Sequence, residues 1–96
     1  MPKPHRAIGL DIRRALLYEG KISPYDFWKQ YRPDVSYSYI KSVFWILKQL
    51  GLIRPAEKTW NKTNSPYGKV YYEIVPGKEN DECWASPQGC YKRFMR

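Results

Sequence analysis

The stretch SYSYIKSVFWILKQLGLIRP, residues 36–55, decides the fold, because it joins an amphipathic helix to a strand through a glycine. At about 100° per residue, the large apolar side chains of a helix over residues 37–50 gather on one side. Ser36 is a typical N-cap, and Gly51 followed by Leu52 is typical of a helix C-terminus. The apolar side therefore predicts a core-facing surface made of Ile40, Val43, Phe44, Leu47 and Leu50.

The opposite side of this helix is unusual. A plain solvated surface would carry glutamate and lysine, whereas this one combines small hydroxyls, a lysine, a tryptophan and an amide. Short polar side chains with a few long hydrogen-bond donors are what the major groove of DNA accommodates. We expect DNA contact from Tyr37, Ser38, Lys41, Ser42, Trp45 and Gln49. For Trp45 the alternative is that it covers the C-terminal segment or a second subunit.

The flanking sequence predicts two more helices and a hairpin. Apolar residues at helical spacing indicate a helix over residues 7–19, and the Ser23-Pro24 pair begins a second helix over residues 24–31. Alternating residues in LIRPAEKTW and KVYYEIVP predict two strands of a β-hairpin. Pro55 requires an edge position or a bulge. Lys21-Ile22 has room only for a very short strand.

Residues 77–96 show no clear period and are predicted to form an irregular C-terminal extension pinned by Trp84. Cys83 and Cys90 lie seven residues apart, and either a disulfide or two free thiols is compatible with that spacing. A metal site is not expected, because four ligands are typical and His5 is the only histidine.

The charge of the chain points to a polyanionic partner. Seventeen Lys and Arg residues stand against nine Asp and Glu, which gives a net charge of +8. Thirteen of the basic residues and six of the acidic ones fall in residues 1–75, so the excess belongs to the part with regular patterning. A small basic domain attracts nucleic acid first and an anionic membrane second. The alternative is that the charge only aids solubility.

The order helix, short strand, helix, tight turn, helix, hairpin resembles the winged helix-turn-helix family. The resemblance covers about residues 7–76 and is carried by GKISPYDFWKQYRPDVSYSYIKSVFWILKQLGLIRP followed by KVYYEIVP. In that family a phrase like LKQLGLI, residues 47–53, joins the recognition helix to the first wing strand. The small, basic, aromatic-rich chain also resembles the stand-alone winged-helix regulators of archaeal viruses.

The resemblance implies an α+β winged helix-turn-helix fold with three helices and a β-hairpin wing over residues 1–76. It also implies homodimers that read roughly two-fold symmetric operators, and a wing tip that touches the minor groove or the backbone. Ammonium and amide donors around the hairpin tip agree with phosphate contact. The expected wing residues are Lys58, Lys62, Asn64 and Lys69; the alternative is an ordinary solvated hairpin.

We therefore expect a double-stranded DNA-binding protein, most simply a transcriptional regulator, that is soluble and intracellular and needs no cofactor or small-molecule ligand. No apolar run approaches a membrane span, and no glycine-rich phosphate loop or nucleophile pair indicates an enzyme. Two alternatives remain open. One is a winged helix used as a protein-interaction or assembly module, and the other is a binder of single-stranded nucleic acid or RNA that uses exposed aromatics for stacking.

Overall fold

The computed structural model describes residues 8–57 and 70–94 of the chain. These residues form an α+β structure of four α-helices, one 3-10 turn and a two-stranded antiparallel hairpin. In chain order the elements are α1 (Ile8–Glu19), α2 (Pro24–Gln30), α3 (Tyr37–Gln49), β1 (Ile53–Glu57), β2 (Tyr71–Ile74), the 3-10 turn (Glu82–Trp84) and α4 (Pro87–Phe94). The three predicted helices and the hairpin are confirmed.

The predicted helix starts have the expected chemistry. The Ser23 hydroxyl accepts a hydrogen bond from the backbone N–H of Asp26 at 3.1 Å, and Pro24 occupies the first turn of α2, where no N–H partner is needed. The Ser36 hydroxyl accepts from the N–H of Tyr39 at 3.2 Å. Gly51 has φ of +81°, which a residue with a side chain adopts only with strain. The chain can therefore turn sharply from α3 into β1.

Pro55 lies where its missing N–H does least harm. Pro55 lies on β1 and pairs with Tyr72 of β2, the one strand that pairs with β1 among the described residues, and the register shifts between Pro55 and Glu57. The other edge of β2 bonds Ile22, whose N–H and C=O exchange hydrogen bonds of 3.1 and 3.0 Å with Tyr72. Both the edge position with a bulge and the very short strand at Ile22 are as the sequence predicted.

One core lies between the helices and the hairpin. Tyr72 and Ile74 of β2 pack against it, as the alternation in KVYYEIVP predicts, whereas Val70 is exposed. All of the predicted apolar residues of α3 contribute, with Leu50 at the margin. The buried side chains that form this core cluster are Ile8, Ile12, Ala15, Leu16, Ile22, Phe27, Val35, Ile40, Val43, Phe44, Leu47, Leu52, Ile53 and Trp84.

The prediction of an irregular C-terminal extension is wrong for residues 82–94, which form the 3-10 turn and α4. Pro87 stands at the first position of α4, where proline is favoured. A disulfide joins Cys83 of the turn to Cys90 of the helix. Trp84 does anchor the segment, since its ring is buried and its indole N–H donates to the carbonyl of Lys78 at 2.8 Å.

Candidate nucleic-acid interface

The outer face of α3 is open to solvent. Of the six side chains predicted to contact DNA on this helix, Tyr37 is half-buried and the other five are exposed; these are Ser38, Lys41, Ser42, Trp45 and Gln49. The apolar side of the same helix is buried in the core, so the polar face points away from the protein. The structure brings all six residues together on one helical surface.

Ser42 and Lys41 each contact another residue of α3. The Ser42 hydroxyl donates to the backbone carbonyl of Tyr39 at 2.7 Å, which occupies its proton and leaves its oxygen as an acceptor. The Lys41 ammonium lies 5.3 Å from the centre of the Tyr37 ring, at cation–π distance. The helix therefore presents an acceptor oxygen and a positive charge one residue apart.

An aromatic cluster borders the first turn of α3. The Tyr37 ring lies 5.7 Å from Tyr25 and 5.3 Å from Trp28 of α2, centre to centre. The Lys29 ammonium lies within 6 Å of both α2 rings, at 5.8 and 5.9 Å. The sequence did not lead us to predict Tyr25 or Trp28 as site residues. The three-residue spacing of Tyr25 and Trp28, which puts both rings on one face of α2, was the signal that could have found them.

Trp45 has both a free side and a partner. Its side chain is 50% exposed, yet its ring meets that of Tyr91 of α4 edge-on, with 5.5 Å between centres. Nearer the start of α3, the side-chain amide of Gln88 donates to the hydroxyl of Tyr39 at 3.0 Å. Trp45 therefore contacts the C-terminal segment, as the alternative expected, while half of its side chain stays exposed.

Arg32 fixes the turn that aims α3. It is 3% exposed, and it donates to both carboxylate oxygens of Asp34 and to one oxygen of Asp11 of α1. Hydrogen bonds from its guanidinium to Asp34 raise the pKa of Arg32, which keeps the group charged. From the sequence, this segment was predicted only as the tight turn between the second and third helices. Trp28 strengthens the same turn, because its indole N–H donates to the carbonyl of Val35 at 2.7 Å.

The four expected wing residues, Lys58, Lys62, Asn64 and Lys69, lie outside the described residues. At the base of the hairpin, Arg54 and Glu73 form an exposed ion pair across the two strands at 2.7 Å. Helices α3 and α4 are positively charged, because between them they contain lysine and arginine but no aspartate or glutamate. The surface formed by these two helices suits an anionic partner.

Within residues 8–57 and 70–94, no group of three or more His, Cys, Asp or Glu side chains is placed to hold a metal ion. In the same part of the chain, no helix has both the length and the apolar character needed to cross a bilayer. Comparisons of the chain with protein-family models, with curated proteins and with solved structures find no match.

Proposed function

We propose that this protein binds double-stranded DNA in a sequence-specific manner and acts as a transcriptional regulator of the winged helix-turn-helix type. The observation that carries the proposal is the exposed polar face of α3, which combines Ser38, Lys41, Ser42 and Gln49 on a chain of net charge +8. In this proposal α3 is the recognition helix, and the hairpin contacts the flanking backbone or minor groove.

The dimensions and chemistry of α3 support this assignment. A helix with its side chains is about 10–12 Å across, and the major groove is about 12 Å wide. Ser38 and Ser42 are short enough to let the helix approach base edges closely, and the Lys41 ammonium can donate to guanine or to a phosphate. Because the Ser42 hydroxyl already donates its proton to Tyr39, its oxygen can accept a hydrogen bond from the amino group of a base.

We further propose that two copies act together, each reading one half-site of a roughly two-fold symmetric operator. The winged-helix resemblance supports this, and half-sites one helical turn apart are the usual geometry for paired recognition helices. Light scattering of the free protein and of the complex with a selected duplex measures the stoichiometry. A single protein per selected site would contradict the paired arrangement.

Selection of bound fragments from a random duplex pool, followed by sequencing, tests the function directly. Lys41→Ala and Ser42→Ala should then weaken binding to the selected site more than binding to random DNA, by about ten-fold, since a good base contact is worth about 1–3 kcal/mol of discrimination. Lys48→Ala is the matched control, because Lys48 is an exposed lysine in the last turn of the same helix. It should weaken both duplexes alike; equal behaviour of all three variants contradicts the recognition role.

One observation favours a second function, a protein-interaction module. The outer face of α1 exposes Leu10, Leu17 and Tyr18, the last with 84% of its side chain accessible. Exposed apolar residues on one helix face are typical of docking surfaces. Titration with random duplex at low and moderate salt separates the two functions, because an interaction module would bind weakly and with a shallow salt dependence.

The cluster of Tyr25, Trp28 and Tyr37 favours a third candidate, binding of single-stranded DNA or RNA by base stacking. The Lys29 ammonium beside these rings would add charge attraction to the backbone. Competition between duplex and single strand of equal length decides between the two modes. Preferential displacement by the single strand would favour stacking over insertion of α3.

A further inference from the structure

The fourth helix lies alongside the exposed face of α3. Gln88 contacts Tyr39 in the first turn of α3, and Tyr91 contacts Trp45 six residues later. Six helical residues span about 9 Å. The two contacts therefore place α4 next to α3 from its first turn into its second half, along the margin of the candidate interface.

Two adjacent cations of α4 point in different directions. Lys92 follows Gln88 by four residues, so both lie on the side of α4 that faces the margin of α3. Arg93 is about 100° further round the helix. Its guanidinium donates to the Sγ atom of Cys90 at 3.4 Å, on its own helix. Both side chains are exposed, and by helical phase Lys92 is the one on the side of Gln88.

The position of α4 is fixed by several contacts with the rest of the fold. A helix of eight residues is too short to be stable alone. The disulfide between Cys83 and Cys90 links it to the 3-10 turn, in which Trp84 is buried. Pro87 is buried, and it lies so close to Gly9 of α1 that a Cβ there would be 2.8 Å from its ring. Groups on such an anchored element are held at a defined place relative to α3.

We infer that α4 is a second DNA-contact helix, which rests on the proposed function of α3. The Lys92 ammonium binds a phosphate of the strand that borders the major groove on the α4 side. The Trp45 and Tyr91 rings pack against the sugars of that strand. The disulfide holds α4, and with it Lys92, in place relative to α3. The bound duplex therefore contacts two helices of one subunit.

The test is fluorescence anisotropy with a labelled duplex of random sequence at salt concentrations from about 50 to about 200 mM. Removing one phosphate contact lowers the slope of log affinity against log salt by about 0.9. Lys92→Ala should show this change and weaken binding several-fold, and Arg93→Ala, with the same change of charge one residue away, should lose less than half as much slope. The double variant Cys83→Ala/Cys90→Ala should resemble Lys92→Ala.

Each outcome has a separate meaning. Absence of duplex binding by the wild-type protein refutes the proposed function and this inference with it. Salt-dependent binding by the wild type, with Lys92→Ala and Arg93→Ala equal to each other or to the wild type, refutes the role of α4 and leaves that of α3 standing. If the disulfide variant fails to fold, as judged by circular dichroism, the comparison of the two charge variants alone decides.

Discussion

Replacing Arg32 with alanine removes the group that connects α1 to the turn before α3. Its guanidinium makes three hydrogen bonds of 2.9–3.0 Å to carboxylate oxygens of Asp11 and Asp34, and it is 3% exposed. The variant removes the hydrogen bonds that Arg32 makes to these two carboxylates near the surface of the core. We expect a loss of stability that exceeds the loss from an exposed ion pair.

The magnitude depends on how far water can replace the lost hydrogen bonds at the two carboxylates. Hydrogen bonds to charged groups contribute about 1.5–3 kcal/mol each when fully buried. The side chain of Asp34 is 52% exposed and that of Asp11 is 22% exposed, so we reduce the figure to about 1 kcal/mol per bond. The free energy of unfolding should fall by about 2–3 kcal/mol. For a chain of 96 residues, this lowers the Tm by roughly 10–20 °C.

Urea unfolding followed by circular dichroism measures this loss. Arg54→Ala is the control, because Arg54 pairs with Glu73 at 2.7 Å but is 52% exposed, and exposed pairs contribute only about 0.2–1 kcal/mol. A double-mutant cycle of Arg32→Ala with Asp11→Ala isolates the link between α1 and the turn. If Arg32→Ala costs no more than Arg54→Ala, the reasoning that Arg32 braces the α3 turn is refuted.

Three further changes probe the packing around the C-terminal segment and the sheet. Gly9→Ala should destabilise by about 1–3 kcal/mol in urea unfolding, because a Cβ would overlap the Trp84 carbonyl; a gain in stability would contradict this close approach. Reduction of the Cys83–Cys90 disulfide should cost about 2–3 kcal/mol for so short a loop, seen as a lower Tm in reductant; an unchanged Tm would show that the bond does not hold the segment. Burial raises the pKa of Tyr72 above its usual value of 10.0. The folded state therefore favours the neutral phenol, and this contribution is complete below about pH 10 and lost as pH rises through the folded pKa. Above that pH the Tm of the wild type should fall more steeply than that of Tyr72→Phe, and parallel curves would contradict this role of burial.

The part of the fold that the sequence predicted depends on local signals. Ser23 and Ser36 cap helices through their own side chains, and Gly51 ends α3, so each helix end needs only nearby residues. The exposed side of α3 was likewise predictable, because a helix of known phase has only one face left after its apolar side is buried.

The part that the sequence missed depends on contacts between distant residues. In the sequence, Arg32 is only the residue before a proline, a position that disfavours helical geometry. Asp11, 21 residues away in the chain, comes next to it only in the folded structure. The C-terminal segment became a helix because Trp84 is buried and Gly9 permits close approach, and neither contact is visible in local periodicity. The placement of Tyr91 beside Trp45 follows from those same contacts.

The most direct measurement is a binding titration of the wild-type protein with random-sequence duplex DNA as salt is raised from about 50 to about 200 mM. The exposed lysine-bearing face of α3 predicts clear binding in dilute buffer. The logarithm of the affinity should fall steeply and linearly with the logarithm of the salt concentration, because the release of counterions from the DNA phosphates favours binding less at higher salt. Absence of binding in dilute buffer, or an affinity that salt does not change, would contradict the assignment of α3 as a DNA-reading helix.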